Sequence, residues 1–302
     1  MTSLGPTASG ATASDLSAPT PFGTRLAAAM AARGPLCVGI DPHPALLRAW
    51  GLGDDVAGLR EFSLRVVDAL AGEVAALKPQ SAFFERHGSA GVAVLEDVIA
   101  ACRAAGVLCI VDAKRGDIGS TMAGYADAYL AEGSPLAGDA VTFAPYLGFG
   151  SLEPAIETAL LAGRGVFVLA LTSNPEGAQV QHAREPDGTA VAARIASEAA
   201  ALNALEIAAG APLGSVGLVV GATIGSAARD LGVDLAKVRG PLLAPGIGAQ
   251  GGGAQDLARV FEGAHEAVLA SSSREVLGAG PTAEALATAA RRCVGTLRAA
   301  LV

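Results

Sequence analysis

The feature that most constrains the fold is a recurring unit, made of a short apolar run, a loop with polar residues or glycine, and an Ala- and Leu-rich helical segment. Eight apolar runs occur, at residues 36–40, 74–77, 107–111, 140–143, 166–171, 216–220, 242–244 and 267–270. Predicted helices alternate with them near residues 56–71, 89–105, 119–132, 151–162, 189–209, 224–231, 254–263 and 282–300. Runs that are apolar on both faces are typical of a covered parallel sheet. Eight such units predict a (β/α)8 TIM barrel, an α/β fold, in a single domain.

An open, doubly wound sheet also explains the alternation of strands and helices. The chain of 302 residues shows no second zone of composition, however, and 51% of it is hydrophobic, which is enough for one large core. Residues 1–22 are rich in Ser, Thr, Ala, Gly and Pro without a periodic pattern, so we predict a disordered tail there. Residues 23–302 then form the barrel.

Composition restricts the partners of the chain. The formal net charge is −8 and no cluster of Lys and Arg is present, which argues against nucleic acid as a partner. The apolar stretches are far shorter than the ~20 residues of a membrane span, and no signal peptide is recognisable, so we expect a cytoplasmic protein. The four cysteines show no paired spacing and the histidines are scattered, which favours buried thiols over disulfides or a metal site.

Polar residues follow most of the apolar runs. In a barrel, catalytic residues lie at the carboxyl ends of several strands. Each buried charge there needs a partner to offset its loss of water. The residues in such positions are Asp41, Lys78, Asp112, Lys114, Ser173, Pro245, Ser273 and Arg274.

The third run leads into the most informative motif, residues 111–117. Alternation along a strand directs Asp112 and Lys114 to the same side, so an acid and an amine share one patch. Thr121 lies four residues beyond Asp117, which places both on one helical face if a helix has begun by then. A capped helix start with an ordinary salt bridge is the simpler explanation of such a motif.

Two loops bear on the ligand. Residues 246–253 form a glycine-rich segment after the seventh run, and Arg274 follows the eighth; exposed N–H groups and a guanidinium suit a phosphate, although a plain turn with a surface arginine is the alternative. The same loop matches the dinucleotide pattern G-x-G-x-x-G, but the acidic residue twenty positions on, Glu266, precedes its strand and stands at the wrong end. Residues 174–188 form either a mobile cover or a tolerated insertion.

Three segments carry a resemblance to a known family: residues 78–85 (KPQSAFFE), 112–121 and 244–250. They resemble the orotidine 5′-phosphate decarboxylases, in particular the longer bacterial branch, and the resemblance extends over nearly the whole chain from about residue 23. It implies conversion of orotidine 5′-monophosphate (OMP) to uridine 5′-monophosphate (UMP) and CO2, the last step of de novo UMP synthesis. It also implies a carboxy-lyase that uses no metal and no cofactor.

The resemblance assigns roles to individual residues. The implied catalytic residues are Lys78, Asp112, Lys114 and Asp117, with Lys114 as the proton donor to C6 of the pyrimidine. Asp117 is expected to reach the site from the partner subunit of a homodimer, and Ile118 and Thr121 to cross the same interface.

The remaining implied residues bind substrate. Asp41 would contact the ribose hydroxyls together with Lys78, Ser173 the pyrimidine amide edge, and Pro245 the face of the ring. Gln250 and Arg274 would hold the phosphate. Ser273 stands where relatives often carry glycine, a change that a main-chain N–H contact to phosphate would survive.

Two other functions must be weighed. Mg²⁺-dependent sugar-phosphate aldolases or decarboxylases share the motif of the third strand but carry a glutamate metal ligand at the end of the second. Here that position is Lys78, and an ammonium cannot coordinate a cation. The other is a non-catalytic barrel that binds a nucleotide; it has no need of four mutually dependent charges, which favours the enzyme.

Overall fold

The fold is a closed barrel of eight parallel strands that pair in chain order, with β1 also paired to β8. The computed structural model describes residues 19–247 and 253–301. The predicted single-domain (β/α)8 barrel is confirmed. The strands are β1 Leu36–Ile40, β2 Ala76–Pro79, β3 Leu108–Arg115, β4 Ala140–Phe143, β5 Gly165–Leu171, β6 Val216–Val220, β7 Leu242–Pro245 and β8 Val268–Ser272.

Helices surround the barrel and also occupy several of its loops. The longer helices, of seven residues or more, are α1 Phe22–Arg33, α3 Val56–Leu70, α5 Gly88–Ala104, α6 Gly119–Leu130, α7 Glu153–Leu161, α9 Val191–Ala208, α12 Ala254–Val260 and α14 Ala283–Ala300. Shorter helices lie between them: α2 Pro44–Ala49, α4 Ser81–Glu85, α8 Ala178–Gln181, α10 Ala227–Asp230, α11 Leu235–Val238 and α13 Arg274–Leu277. In the described part of the chain, none of these helices has the length and apolarity to cross a membrane.

Four strands continue beyond the apolar runs that predicted them. β7 ends one residue later, at Pro245, and the other three take in polar residues: β2 extends through Lys78 to Pro79, β3 through Asp112 and Lys114 to Arg115, and β8 through Ser271 to Ser272. The polar residues therefore belong to the strands themselves, where neighbouring strands hold their main chain. Their side chains are positioned by the sheet and not by mobile loops.

The inward-facing residues fall into two layers. Near the amino ends of the strands the layer is apolar, and the helix α1 packs against it from below through Phe22, Leu26 and Met30. The Phe22 ring meets the Phe167 ring edge to face, with centroids 5.9 Å apart. A separate and larger apolar cluster fills the space between the strands and the outer helices. The helix α1 thus closes the amino end of the barrel.

Phe22 corrects one detail of the predicted tail. The sequence placed this residue at the end of a disordered segment, but it is the first residue of α1 and its side chain is fully buried. Its burial contributes to holding this segment on the barrel, because burying a phenylalanine side chain stabilises the fold by about 1.5–3 kcal/mol. Residues 1–18 of the predicted tail lie outside the described residues.

Candidate active site

A cavity of about 280 Å³ opens at the carboxyl ends of the strands. Its position and its mixture of charged and apolar lining residues are typical of a small-molecule site. The lining residues are Asp41, His43, Lys78, Gln80, Asp112, Lys114, Thr142, Leu169, Thr172, Val219, Leu243, Pro245, Gly246, Ile247, Ser271, Ser273 and Arg274.

Three charged side chains, those of Lys78, Asp112 and Lys114, form an array that lines one side of the cavity. The carboxylate of Asp112 accepts hydrogen bonds from Lys78 Nζ and from Lys114 Nζ, each at 2.6 Å and each to a different oxygen. The side chains of Lys78 and Asp112 are 8% and 7% exposed, whereas that of Lys114 is 41% exposed. Both lysines line the cavity, and Lys114 is the more accessible of the two to a bound molecule. The chain contains only three lysines, and two of them are here.

The array stays ionised because its members support one another. Burial raises the pKa of Asp112, but attraction and hydrogen bonding from Lys78 and Lys114 outweigh it and hold the pKa well below its usual range. Burial lowers the pKa of Lys78, but attraction to Asp112 and Asp41 outweighs it and raises the pKa above its ordinary value. At neutral pH the buried pair of Lys78 and Asp112 therefore stays charged, and water screens it only weakly.

Thr142 on β4 fixes the geometry of this array. Its hydroxyl donates to Oδ1 of Asp112 at 2.8 Å and accepts from the main-chain N–H of Lys114 at 2.9 Å. Sequence reasoning missed Thr142, because it lies inside an apolar run. The alternation of side chains along β4 could have revealed it, because Thr142 lies two residues beyond the inward-facing Ala140 and therefore also faces inward.

Lys114 has an unusual main-chain conformation, with φ at +46°. This left-handed region is uncommon for residues other than glycine and persists only where the surroundings enforce it. The hydrogen bond from its N–H to Thr142 holds Lys114, and contacts of the next residue, Arg115, hold the chain after it. The guanidinium of Arg115 forms an ion pair with Glu85 and donates to the Tyr129 hydroxyl and the Ala113 carbonyl, each at 3.1 Å. The guanidinium carbon also lies 5.5 Å from the centroid of the Tyr129 ring.

Gln80, at the end of β2, completes this side of the cavity. With its amide oriented to satisfy both neighbours, its nitrogen donates to the main-chain oxygen of Asp112 and its oxygen accepts from Lys114 Nζ at 3.2 Å. Lys114 thus has two acceptors, Asp112 and Gln80, which restrict where its ammonium points. Sequence reasoning placed Gln80 in a motif but gave it no role.

The opposite wall is formed where β1 and β8 end. Gly39 permits their close approach, because a Cβ at that position would lie 2.1 Å from the hydroxyl oxygen of Ser273 and 2.9 Å from a carboxylate oxygen of Asp41. Among the described residues, Oδ1 of Asp41 is buried and has no hydrogen-bond partner. A buried acceptor left unpaired is costly, so this oxygen is suited to a donor on a ligand. Ser273 and the exposed Arg274 continue this wall.

Of the residues predicted to form the site, seven line this cavity: Asp41, Lys78, Asp112, Lys114, Pro245, Ser273 and Arg274. Ser173 follows β5 but does not line the cavity, whereas its neighbour Thr172 does. Gln250 lies outside the described residues. His43, which packs its ring against Phe83 at 4.4 Å between centroids, was not predicted.

Asp117, Ile118 and Thr121 lie at the start of α6 and do not line the cavity of this chain. A carboxylate oxygen of Asp117 accepts from the main-chain N–H of Ile118 at 2.8 Å, and the Ile118 side chain is 60% exposed. Within the described residues, no three His, Cys, Asp or Glu side chains are grouped so that they could hold a metal ion.

Comparison with known proteins gives a consistent result. The profile of the orotidine 5′-phosphate decarboxylase / HUMPS family matches residues 34–289. An orotidine 5′-phosphate decarboxylase of Streptomyces coelicolor is 58% identical over 281 residues, which are 93% of this chain and 98% of that protein. One of Salinispora arenicola is 60% identical over 280 residues, again 93% of this chain and 98% of that protein.

Solved structures agree with these relatives. A crystal structure of a Streptomyces avermitilis protein assigned to the same activity superposes with a TM-score of 0.89 at 57% identity, covering 94% of this chain and 97% of that one. The OMP decarboxylase of Leishmania donovani superposes with a TM-score of 0.71 at 30% identity, covering 93% and 99%. The resemblance inferred from the motifs is confirmed, and the chain belongs to the orotidine 5′-phosphate decarboxylase / HUMPS family.

Proposed function

We propose that this chain is a carboxy-lyase that converts OMP to UMP and CO2 without a metal or cofactor. The observation that carries the proposal is the array of Lys78, Asp112 and Lys114, in which both ammonium groups lie 2.6 Å from one carboxylate inside the cavity. Relatives that share about 60% of their residues with this chain are orotidine 5′-phosphate decarboxylases.

The chemistry requires charge stabilisation at one carbon atom. The bond between C6 of the pyrimidine and its carboxylate breaks, CO2 leaves, and the electron pair stays on C6. The ammonium of Lys114 attracts this developing carbanion and then donates a proton to it, which yields UMP and a neutral amine that regains a proton from solvent. The exposure of Lys114, in contrast to that of Lys78, supports its assignment as the donor.

The other charges hold the donor and the substrate. Asp112, fixed by Thr142 and two lysines, keeps Lys114 in place, and its negative charge beside the substrate carboxylate would favour departure of CO2. Asp41 and Lys78 would bind the ribose hydroxyls, which the unpartnered oxygen of Asp41 supports. Binding energy from these contacts, remote from C6, can be used to order the reacting groups.

The pyrimidine and the phosphate would lie on the β5, β7 and β8 side of the cavity. We assign Pro245 to the ring face, Ser173 to the amide edge, and Arg274 with Gln250 and the Ser273 main chain to the phosphate. The position of Pro245 and Arg274 in the same cavity wall supports this arrangement.

The active form would be a homodimer with shared sites. Asp117, Ile118 and Thr121 would then complete the cavity of the second subunit. The large exposed apolar side chains of Ile118, Tyr146 and Leu147, which follow β3 and β4, support a partner at this end of the barrel. The four buried cysteines, none in a disulfide, support a cytoplasmic location.

The Mg²⁺-dependent alternative fails at the end of β2. A metal ligand is needed there, and the position holds Lys78, whose ammonium is bound to Asp112. The test is an assay of the purified protein with OMP in the presence of a chelator, followed by the loss of substrate absorbance. Turnover with the chelator is expected, and a strict requirement for added Mg²⁺ would contradict the proposal.

The shared site has its own test. Asp117→Ala and Lys114→Ala proteins, each inactive, are mixed at equal concentration and allowed to exchange subunits. Hybrid dimers contain one site with both native residues, so about a quarter of the sites should recover activity, by random pairing. Failure to recover activity, with subunit exchange verified, would exclude shared sites.

A further inference from the structure

A second cavity lies at the amino end of the barrel, on the opposite side from the candidate active site. Its volume is about 360 Å³, and it is bordered by the residues that precede or begin β3, β4 and β5. Three arginines line it, Arg25, Arg103 and Arg164, and one carboxylate, Asp139. Nothing in the proposed decarboxylation uses this cavity.

The carboxylate of Asp139 is already engaged. It forms an ion pair with Arg25, and its second oxygen accepts from the main-chain N–H of Cys109 at 2.9 Å. Arg25 also donates to the carbonyl of Gly163 at 2.9 Å. One of the three positive charges is thus neutralised in place.

The other two guanidinium groups bind only carbonyl oxygens. Arg103 donates to Ala137 at 3.0 Å, and Arg164 donates to Gly138 and, at 3.4 Å, to the same oxygen of Ala137. Within residues 19–247 and 253–301, neither forms an ion pair. The Nε of Arg164 is buried and has no hydrogen-bond partner there.

These charges repel one another. Burial lowers the pKa of Arg164, and the positive charges of Arg103 and Arg25 lower it further, against the attraction of Asp139 and Glu132. The buried Nε–H of Arg164 is unpaired among the described residues, and the exposed guanidinium of Arg103 adds a second positive charge beside it without a carboxylate partner. An anion between the two guanidinium groups would offset their mutual repulsion.

We propose that this cavity binds a small phosphate-type oxyanion, held by Arg103 and Arg164 with Arg25 at its edge. Guanidinium groups present N–H donors in a planar fork that matches the oxygens of phosphate. The chain as a whole carries a formal charge of −8, so only such a local group of cations would attract an anion. The bound ion would link the amino ends of three neighbouring strands, among them β3.

The experiment measures phosphate binding by titration calorimetry at constant ionic strength. All proteins carry Arg274→Gln, which removes the only charged group among the residues proposed to hold phosphate in the active site and leaves the second cavity intact; phosphate bound in the second cavity is identified by its sensitivity to Arg103→Gln. One phosphate per chain is expected to bind, and adding Arg103→Gln should weaken its affinity at least about tenfold, the loss of one charge-assisted contact.

The matched control is Arg298→Gln in the same background. Arg298, near the end of α14, also donates to a main-chain carbonyl, that of Ala32, but does not line the cavity. Its replacement removes one positive charge and should leave phosphate affinity unchanged. Equal weakening by Arg103→Gln and Arg298→Gln would show a general charge effect and overturn the proposal.

Two further measurements test the proposal if the first variant does not fold and identify the type of anion bound. If Arg103→Gln protein does not fold by circular dichroism, Arg164→Lys retains the charge but loses the fork and should weaken phosphate binding in the same way. Absence of phosphate binding to the Arg274→Gln protein would overturn the proposal. Ribose 5-phosphate distinguishes the source of the anion. Binding that Arg103→Gln weakens indicates the phosphoryl group of a larger molecule, and no binding sensitive to Arg103→Gln indicates free phosphate as the ligand.

Discussion

The two ends of the barrel interior are built from the same strands and the same inward-facing positions, yet they have opposite chemistry. Ala76, Ile110 and Ala140 face inward near the amino ends and are buried among apolar neighbours. Two residues further along the same strands, Lys78, Asp112 and Thr142 face inward in a polar network. The comparison shows that the position of a residue along its strand decides its role. Inward-facing residues near the amino ends stabilise the fold, and those near the carboxyl ends form the proposed active site.

The largest effect should come from the charged end. Lys114→Ala removes the proposed proton donor, and we expect the turnover of OMP to fall by at least about 10²–10⁴-fold. Because the side chain is 41% exposed and Asp112 keeps Lys78 as a partner, the thermal unfolding midpoint should hardly change. Lys237→Ala is the matched control, since Lys237 is 82% exposed on α11. Substantial turnover by Lys114→Ala would contradict its assignment as the donor.

The apolar end should respond in the opposite way. Phe22→Ala empties a fully buried position beneath the barrel and should lower the free energy of unfolding by about 3–5 kcal/mol. Denaturant unfolding measures this loss, and Phe22→Leu should cost less because part of the volume remains. Turnover per folded molecule should stay close to that of the wild type. A parallel loss of turnover in fully folded protein would show that the two ends are not independent.

A double variant separates stability from chemistry within the charged end. Replacing the buried pair with apolar residues, Lys78→Met with Asp112→Leu, removes the cost of burying two charges and should leave the free energy of unfolding unchanged or raise it by about 1–4 kcal/mol. Turnover should be lost. Asp112→Leu alone leaves the buried ammonium of Lys78 without its carboxylate partner and should destabilise the protein. A double variant that is less stable than Asp112→Leu alone would contradict this explanation.

The smallest effect concerns pH. The pKa of Asp112 is lower in the folded protein than in the unfolded chain, so its contribution to stability is present above about pH 4 and is lost as the pH falls toward the depressed pKa. The slope from this one group is at most about 1.4 kcal/mol per pH unit. In the Asp112→Asn protein, the free energy of unfolding, measured by denaturant titration, should fall less steeply between pH 4 and pH 2 than in the wild type. Identical slopes would mean that Asp112 does not contribute.

Much of the fold could be predicted from the sequence, because eight apolar runs leave few ways to bury them. The errors cluster where a strand is apolar at one end and polar at the other. At β3, the apolar run stops at Val111, but the strand continues to Arg115, which pairs with Phe143 of β4 after a shift in register. Between these points the N–H of Lys114 donates to the hydroxyl of Thr142, a side-chain contact that no apolar pattern reveals. The short helices α2, α4, α8, α11 and α13 were also missed, since segments of four to six residues give too little periodicity to recognise.

The site could be predicted only in part, for a related reason. Charged residues after an apolar run are conspicuous, so Lys78, Asp112 and Lys114 were found. Thr142 was hidden within its run, and the left-handed conformation of Lys114 depends on contacts from β4 and Arg115 that no local pattern encodes. The roles proposed for Asp117 and Ile118 would require a second chain, which one sequence does not describe.

Because α1 packs against the amino end of the barrel, the proposed reaction cavity is closed at its base. In the part of the chain that the structure describes, the cavity opens at the carboxyl ends of the strands, so both products of the proposed reaction would leave at that end. We therefore expect a variant that holds UMP more tightly to retain CO2 for longer as well.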